Sequence, residues 1–290
     1  MKKLRGILAQ TLAYTVTIGV AVLVARHFSD WHLLWAVAAG DAAGTVTIFI
    51  FSVIFNNSSL YDPYWSVKPM VIAVGYLFLL PDPGDARGWI TAALMLLYGI
   101  RLTSNFLRDW PGLEKEDWRY VNFRNQYPKL YWLISFSGVH VFPTVLVYLA
   151  CIPAYYAMLE SDGPLNGWDF LGAIIFLSSI IVSYVADGQM RSFRQDPANR
   201  GKIMTAGLWE FSRHPNYLGE VMGWWGLWLM AFAVDPALYW TAAGAAAITL
   251  LFYFISIPLM DRRSQKRRPQ FRAYMDRTPS LFPFPWRRKA

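Results

Sequence analysis

The chain holds one cysteine, Cys151, in 290 residues. Neither an internal disulfide nor a cysteine-rich zinc or iron–sulfur site can be built from a single thiol, and no metal is expected. Charged residues make up only 16% of the sequence, too few for an ordinary soluble domain of this length. There is no Gly-x-Gly-x-x-Gly fingerprint, no internal repeat, no low-complexity tract and no separable soluble domain. The N-terminus has a basic start and an apolar run, but no small-residue cleavage site leading into a soluble domain. It reads as a first membrane span and not as a cleaved signal peptide.

What is present instead is apolar surface: 55% of residues are hydrophobic and 17% are aromatic. Runs long enough to cross a bilayer recur at roughly 7–26, 33–55, 67–81, 88–107, 130–157, 168–187, 216–234 and 237–260. The third is short, and the fifth is long, with Pro143 and Pro153 as kink points. The sequence therefore predicts an all-α, multi-pass transmembrane helical bundle of seven to eight spans, one integral membrane domain over 1–290 whose first two spans occupy 1–55. With eight spans and a cytoplasmic N-terminus, all of the 27 Lys and Arg except Arg26, Arg87 and Arg101 fall on the inner side. That asymmetry follows the positive-inside rule. It accounts for the net charge of +8 as a topology signal, with no nucleic-acid partner required. The expected address is a bacterial cytoplasmic membrane, both termini inside. The loops at 56–68, 108–129 and 188–215 and the basic tail then share one side, the only place for a hydrophilic pocket.

The densest polar motif is Gly207-Leu208-Trp209-Glu210-Phe211-Ser212-Arg213-His214-Pro215-Asn216-Tyr217-Leu218-Gly219-Glu220. Such polarity at the mouth of a span is costly and usually functional. Pro215 suits the first turn of a helix. Asn216 and Glu220 then share a face, and backbone N–H groups at the helix start, with Arg213, favour an anionic group. A plain capped helix with an interfacial Arg–Glu pair leaves unexplained an acid one turn into the span. Upstream, Ser183, Asp187, Arg191 and Arg194 share one helical stripe. An acid followed by two cations could hold a ribose hydroxyl and then phosphates, or form a simple Asp187–Arg191 pair with Arg194 snorkelling.

Three further positions carry candidate chemistry. In the fourth span Tyr98, Arg101 and Asn105 align, and an intramembrane Arg needs a partner or a wet cavity; Tyr98 could donate to a buried substrate oxygen or simply pack. Asp62 lies in Tyr61-Asp62-Pro63-Tyr64-Trp65-Ser66, either a surface turn or a re-entrant bend in which partial desolvation raises its pKa and suits it to proton donation. The tail from Asp261 through Arg268 could close over a phosphate-bearing cofactor or touch anionic lipid. Asp41, alone inside the second span, has no account from the sequence.

From about residue 56 onward these segments resemble the steroid 5-alpha-reductase-like family of membrane enzymes, in particular its bacterial, uncharacterised, DUF1295-like branch. The resemblance is densest in Tyr61 to Ser66, Gly207 to Glu220, and Ser256-Ile257-Pro258-Leu259-Met260 leading to the tail. It implies NADPH-dependent reduction of a carbon–carbon double bond conjugated to a ketone in a lipophilic, steroid- or isoprenoid-like substrate that enters from the bilayer. Tyr98 matches the tyrosine that donates to the substrate carbonyl, and Asp62 falls where better-known members carry a catalytic Glu preceded by Gln. Asp187, Arg194, Asn216 and Glu220 match cofactor-contacting positions, and Ser183 stands where those members have Asn. Arg101, Arg191, Arg213, His214, Tyr217, Arg263 and Arg267 complete the expected cofactor set; the His of the family's last helix has no counterpart among Arg262, Arg263 and Arg267.

The core Arg213-His214-Pro215-Asn216-Tyr217 is also similar to motifs of membrane methyltransferases of the isoprenylcysteine and phospholipid type, which use S-adenosylmethionine. The Tyr98–Arg101 helix and the Asp62 loop fit the reductase better. A transporter or lipid-binding protein would spread polar residues over both halves of several spans, whereas here they gather toward the inner half.

Overall fold

The computed structural model describes residues 2–82 and 85–283. Among these residues there is no strand. The helices are α1 (Lys2–His27), α2 (Leu33–Ile54), α3 (Tyr64–Leu77), α4 (Ala86–Asp109), α5 (Trp118–Gln126), α6 (Tyr131–Leu159), α7 (Gly167–Gln195), the single turn α8 (Leu208–Phe211), α9 (Pro215–Val234), α10 (Pro236–Arg267) and α11 (Phe271–Arg277). Helix starts follow local chemistry. Asp85 caps α4 by accepting from the backbone N–H groups of Arg87 and Gly88. Asn166 and Asp169 form a reciprocal capping box at α7. Pro215 opens α9, where its missing N–H is no loss.

Two helices widen into π turns, Ser135–Val141 in α6 and Phe252–Ser256 in α10. Each ends just before a proline, Pro143 or Pro258. A proline ring collides with the carbonyl four residues back, and a wider turn moves that carbonyl aside. The kink expected at Pro143 is thus a π turn ahead of it.

Each of the eight apolar stretches contains a helix, but among the described residues six helices are long and apolar enough to span a bilayer: α1, α2, α4, α6, α7 and α10. The protein is a multi-pass integral membrane protein. Helix α3 has 14 residues, about 21 Å, against a hydrocarbon core of about 30 Å. Helix α9 has 20 residues, but Glu220 and the tryptophans at 224, 225 and 228 dilute its apolar character.

The chain forms two compact units, Met1–Asp162 and Gly163–Ala290. The first two spans do not stand apart from the rest of their unit, because α2 packs against α1, α6 and the 3₁₀ turn Ser58–Tyr61. In the second unit α7 and α9 lie in the closest contact. A Cβ at Gly219 would sit 2.1 Å from Ser183 Oγ and 2.8 Å from Ser179 O, so only glycine permits this approach.

Candidate functional site

In the first unit, the turn carrying Asp62 is clamped by the loop ahead of α5. The Asn57 amide donates to the carbonyls of Leu113 and Lys115. Glu116 accepts from Ser58 N–H at 2.8 Å and from the Tyr131 hydroxyl at 2.7 Å, and pairs with Arg124 at 3.2 Å. The Asp117 N–H donates to Ser59 Oγ. This scaffold sets Asp62 against α5, where the Tyr120 hydroxyl donates to its carboxylate at 2.5 Å and Arg119 lies at 3.8 Å. Tyr120 lies in the 108–129 segment, and its pairing with Asp62, 58 positions away, has no signal in the sequence.

Burial pushes the Asp62 carboxyl up to about 6. Arg119 opposes the shift, Asp117 and Glu116 add to it, and the Tyr120 bond partly offsets it. A folded pKa above the ordinary 3.8 means that the folded protein holds this proton more tightly than the unfolded chain. The stability contribution is intact below pH 3.8 and is lost as pH rises through 6; the difference corresponds to about 3 kcal/mol. Asp62→Asn is therefore expected to gain thermal stability over the parent as pH rises from 4 to 7, with little difference at pH 4. A melting-temperature difference that is flat across this range would refute the assignment.

Tyr98 on α4 is buried, and Trp65, in the first turn of α3, donates its indole N–H to the Tyr98 hydroxyl at 3.0 Å. Arg101 lies 5.9 Å from the Tyr98 ring. Ser66 and Thr103 join the same two helices by a 2.8 Å hydrogen bond.

Deeper in this unit lies a feature that the sequence left open. Asp41 on α2 is salt-bridged to Lys68 on α3 at 2.7 Å, and both side chains are about 95% buried. Tyr64 donates to the other Asp41 oxygen at 3.1 Å, and Lys68 also donates to the Thr144 carbonyl on α6 at 2.7 Å. The hydroxyl of Thr144 meets Thr45 and Tyr61. Lys68 lies inside α3 and supplies the counter-charge that a buried acid on α2 needs.

In the second unit, Ser183 and Asp187 on α7 meet the start of α9. Ser183 Oγ donates to the Asn216 carbonyl at 3.2 Å, and the Asn216 amide donates to Asp187 Oδ1 at 3.3 Å. Glu220, one turn on, is buried. Arg191 is half-buried and Arg194 exposed, further along α7; on α10, Arg263 is half-buried and Arg267 exposed.

Arg213 and His214, expected to face a cofactor, have protein partners. Both bind Asp261 of α10, Arg213 Nη2 at 2.8 Å and His214 Nε2 at 3.0 Å. Arg213 Nη1 also donates to the carbonyls of Met275 and Thr278, and the Arg213 N–H donates to Pro279. Tyr217 stacks on the His214 ring at 5.3 Å. The Tyr274 hydroxyl of α11 donates to the Trp209 carbonyl, and the Trp209 indole donates to Ala186 on α7. The segment after α10 is thereby tied to the mouth of α9, with Asp261 at the knot. Among the described residues no cluster of His, Cys, Asp or Glu could hold a metal ion.

The helices define a multi-pass membrane protein with buried polar clusters, one between α2, α3 and α6 and one at the mouth of α9. Residues 48–278 match the family described as "Protein of unknown function (DUF1295)", and the chain belongs to that family. It is also 29% identical over 257 residues to an uncharacterized protein of Schizosaccharomyces pombe, an alignment that covers 80% of this chain and 74% of the yeast protein. No solved structure matches.

Proposed function

We propose that the protein is a membrane-embedded, NADPH-dependent reductase of an electron-poor carbon–carbon double bond conjugated to a ketone in a lipophilic, steroid- or isoprenoid-like substrate. The observation that carries this reading is the convergence of Ser183, Asp187 and Asn216, from two helices, beside the buried Glu220. An amide and two carboxylates suit the hydroxyl and carboxamide groups of a dinucleotide, and Arg191, Arg194, Arg263 and Arg267 suit its phosphates. A reduced nicotinamide supplies hydride when bound.

On the substrate side, Tyr98 and the protonated form of Asp62 act as donors to the ketone oxygen, which makes the β carbon electrophilic. Trp65 donates to the Tyr98 oxygen and so polarises its O–H bond. With Asp62 at about 6, roughly a tenth of the protein carries the neutral acid at pH 7, and turnover is expected to fall further as pH rises. The substrate enters laterally from the bilayer, the cofactor from the cytoplasm.

The motif Arg213-His214-Pro215-Asn216-Tyr217 at a helix start supports a second reading, an S-adenosylmethionine-dependent methyltransferase of membrane substrates. Thermal stabilisation of the purified protein by each cofactor separates the two. The reductase predicts stabilisation by NADPH, weakened in Glu220→Gln, and hydride transfer to a lipophilic enone that falls roughly 100-fold in Tyr98→Phe. Stabilisation by S-adenosylmethionine with indifference to NADPH overturns it.

A further inference from the structure

Two acids and one guanidinium meet in the first unit on a scaffold that fixes the acids. Ser59 ties them together: its carbonyl accepts from the Asp62 N–H at 3.2 Å, and its hydroxyl accepts from the Asp117 N–H at 2.8 Å. Asp117 also caps α5, accepting at Oδ1 from the Arg119 N–H at 2.9 Å. The same oxygen takes Arg119 Nε at 2.7 Å, while Nη2 of that side chain stops 3.8 Å from Asp62 Oδ1. Arg119 therefore leans on Asp117, about 1 Å short of a charge-assisted hydrogen bond to Asp62. Its side chain is 41% exposed, and so is not locked by packing.

The donors that face Asp62 point at one oxygen. Tyr120 donates to Oδ1 at 2.5 Å, and Oδ1 is also the oxygen that Arg119 approaches. In a neutral acid the accepting oxygen is the carbonyl oxygen, so the proton belongs on Oδ2. Burial favours this neutral form, and a carboxyl at about 6 exchanges its proton near neutral pH. The charged and titratable groups around it are Arg119 and Tyr120 of α5, Asp117 and Glu116 ahead of α5, Tyr14 of α1 and Tyr61 of its own turn. Glu116 is already paired with Arg124. Arg119 is the cation of this set, and its position sets the balance.

We propose that Arg119 is a charge latch acting through Asp62: it leans on Asp117 while Asp62 carries a proton on Oδ2, and it closes on Oδ1 when that proton leaves. With the acid neutral, the anionic Asp117 is the stronger partner for the guanidinium. When the Oδ2–H bond breaks and the proton passes to an acceptor, the electron pair of that bond stays on Asp62. Two carboxylates then share one planar cation, with Nε on Asp117 and Nη2 on Asp62. A proton from solvent restores the open state. Arg119 is a positioning residue, since it stabilises the ionised donor without touching the acceptor. That the acceptor is a ketone oxygen rests on the reductase reading; the latch itself does not.

The test is an infrared pH titration of the full-length protein in lipid nanodiscs, following the protonated-carboxyl stretch that disappears in Asp62→Asn. In the parent this band is expected to be lost with a midpoint of about 6. Arg119→Gln should raise the midpoint by about one pH unit, and Asp117→Asn, which keeps a capping side chain on α5, should lower it by a similar amount. In an Arg119→Gln background, Asp117→Asn should shift it far less, because its main effect is to release Arg119. An Asp117→Asn shift of equal size with and without Arg119 is a plain sum of charges and overturns the latch. So does an Arg119→Gln midpoint at or below the parent's, or a parent with no Asp62-dependent band between about pH 4 and pH 8. Should Arg119→Gln not fold, Arg119→Met takes its place in both arms, and an Asp117→Asn midpoint at or above the parent's overturns the latch by itself. The titration needs neither NADPH nor an enone, so failure of the reductase reading leaves it intact. Where that reading holds, the alkaline limit of enone turnover moves with the band in each variant.

Discussion

Lys68→Met is expected to destabilise the protein by about 3–5 kcal/mol, while the double variant Asp41→Leu/Lys68→Met should recover most of that loss. The side chains are 2.7 Å apart and almost wholly buried. Taking two charges out of water costs several kcal/mol per ion, and their mutual attraction together with the bonds from Tyr64 and to Thr144 offsets it. Removing the ammonium leaves a carboxylate with one tyrosine donor. Removing both charges leaves a helix junction that can pack as hydrocarbon. Denaturant midpoints in detergent, measured for both single variants and the double, give the coupling between the two sites. If Lys68→Met unfolds at the parent's midpoint, the ion pair is not what holds α2 to α3.

Asp261→Ala is expected to have an effect of similar size, about 3–5 kcal/mol, and to release the segment after α10. One carboxylate neutralises Arg213 and orients His214, and Arg213 in turn holds the carbonyls of Met275 and Thr278. Without it a buried guanidinium loses its counter-ion, and α11 loses the anchor that the same guanidinium gives it. Limited trypsin digestion should then cut at Arg272 and Arg277 under conditions in which the parent resists. Arg213→Lys should be intermediate, because an ammonium keeps the charge but lacks the fork that spans a carboxylate and two carbonyls. Parental protease resistance in Asp261→Ala would remove Asp261 from the centre of this knot.

The helical membrane character was legible in the sequence because hydrophobic run length is a one-dimensional quantity. Every apolar stretch became a helix, and the prolines at 143 and 258 coincide with distortions. Which helices are long enough to cross was less legible. The start of α3 is set by Pro63 and its end by the turn after Leu77, and neither is marked by hydropathy. The shared stripe of Ser183 and Asp187 followed from helical periodicity, and the polar start of α9 from its proline. The ionic and hydrogen-bonding side-chain partners of Arg213, His214, Asp62 and Asp41 described above did not, since each is supplied by a segment at least 23 positions away.

Composition and periodicity alone settled that this is an apolar helical membrane chain, because the bilayer admits only backbone that bonds within its own segment. Tertiary structure decided which charges are spent on one another: Asp41 on Lys68, and Asp261 on Arg213 and His214. A buried charge is stabilised by whatever lies within a few ångströms, and that proximity is created only when the helices pack.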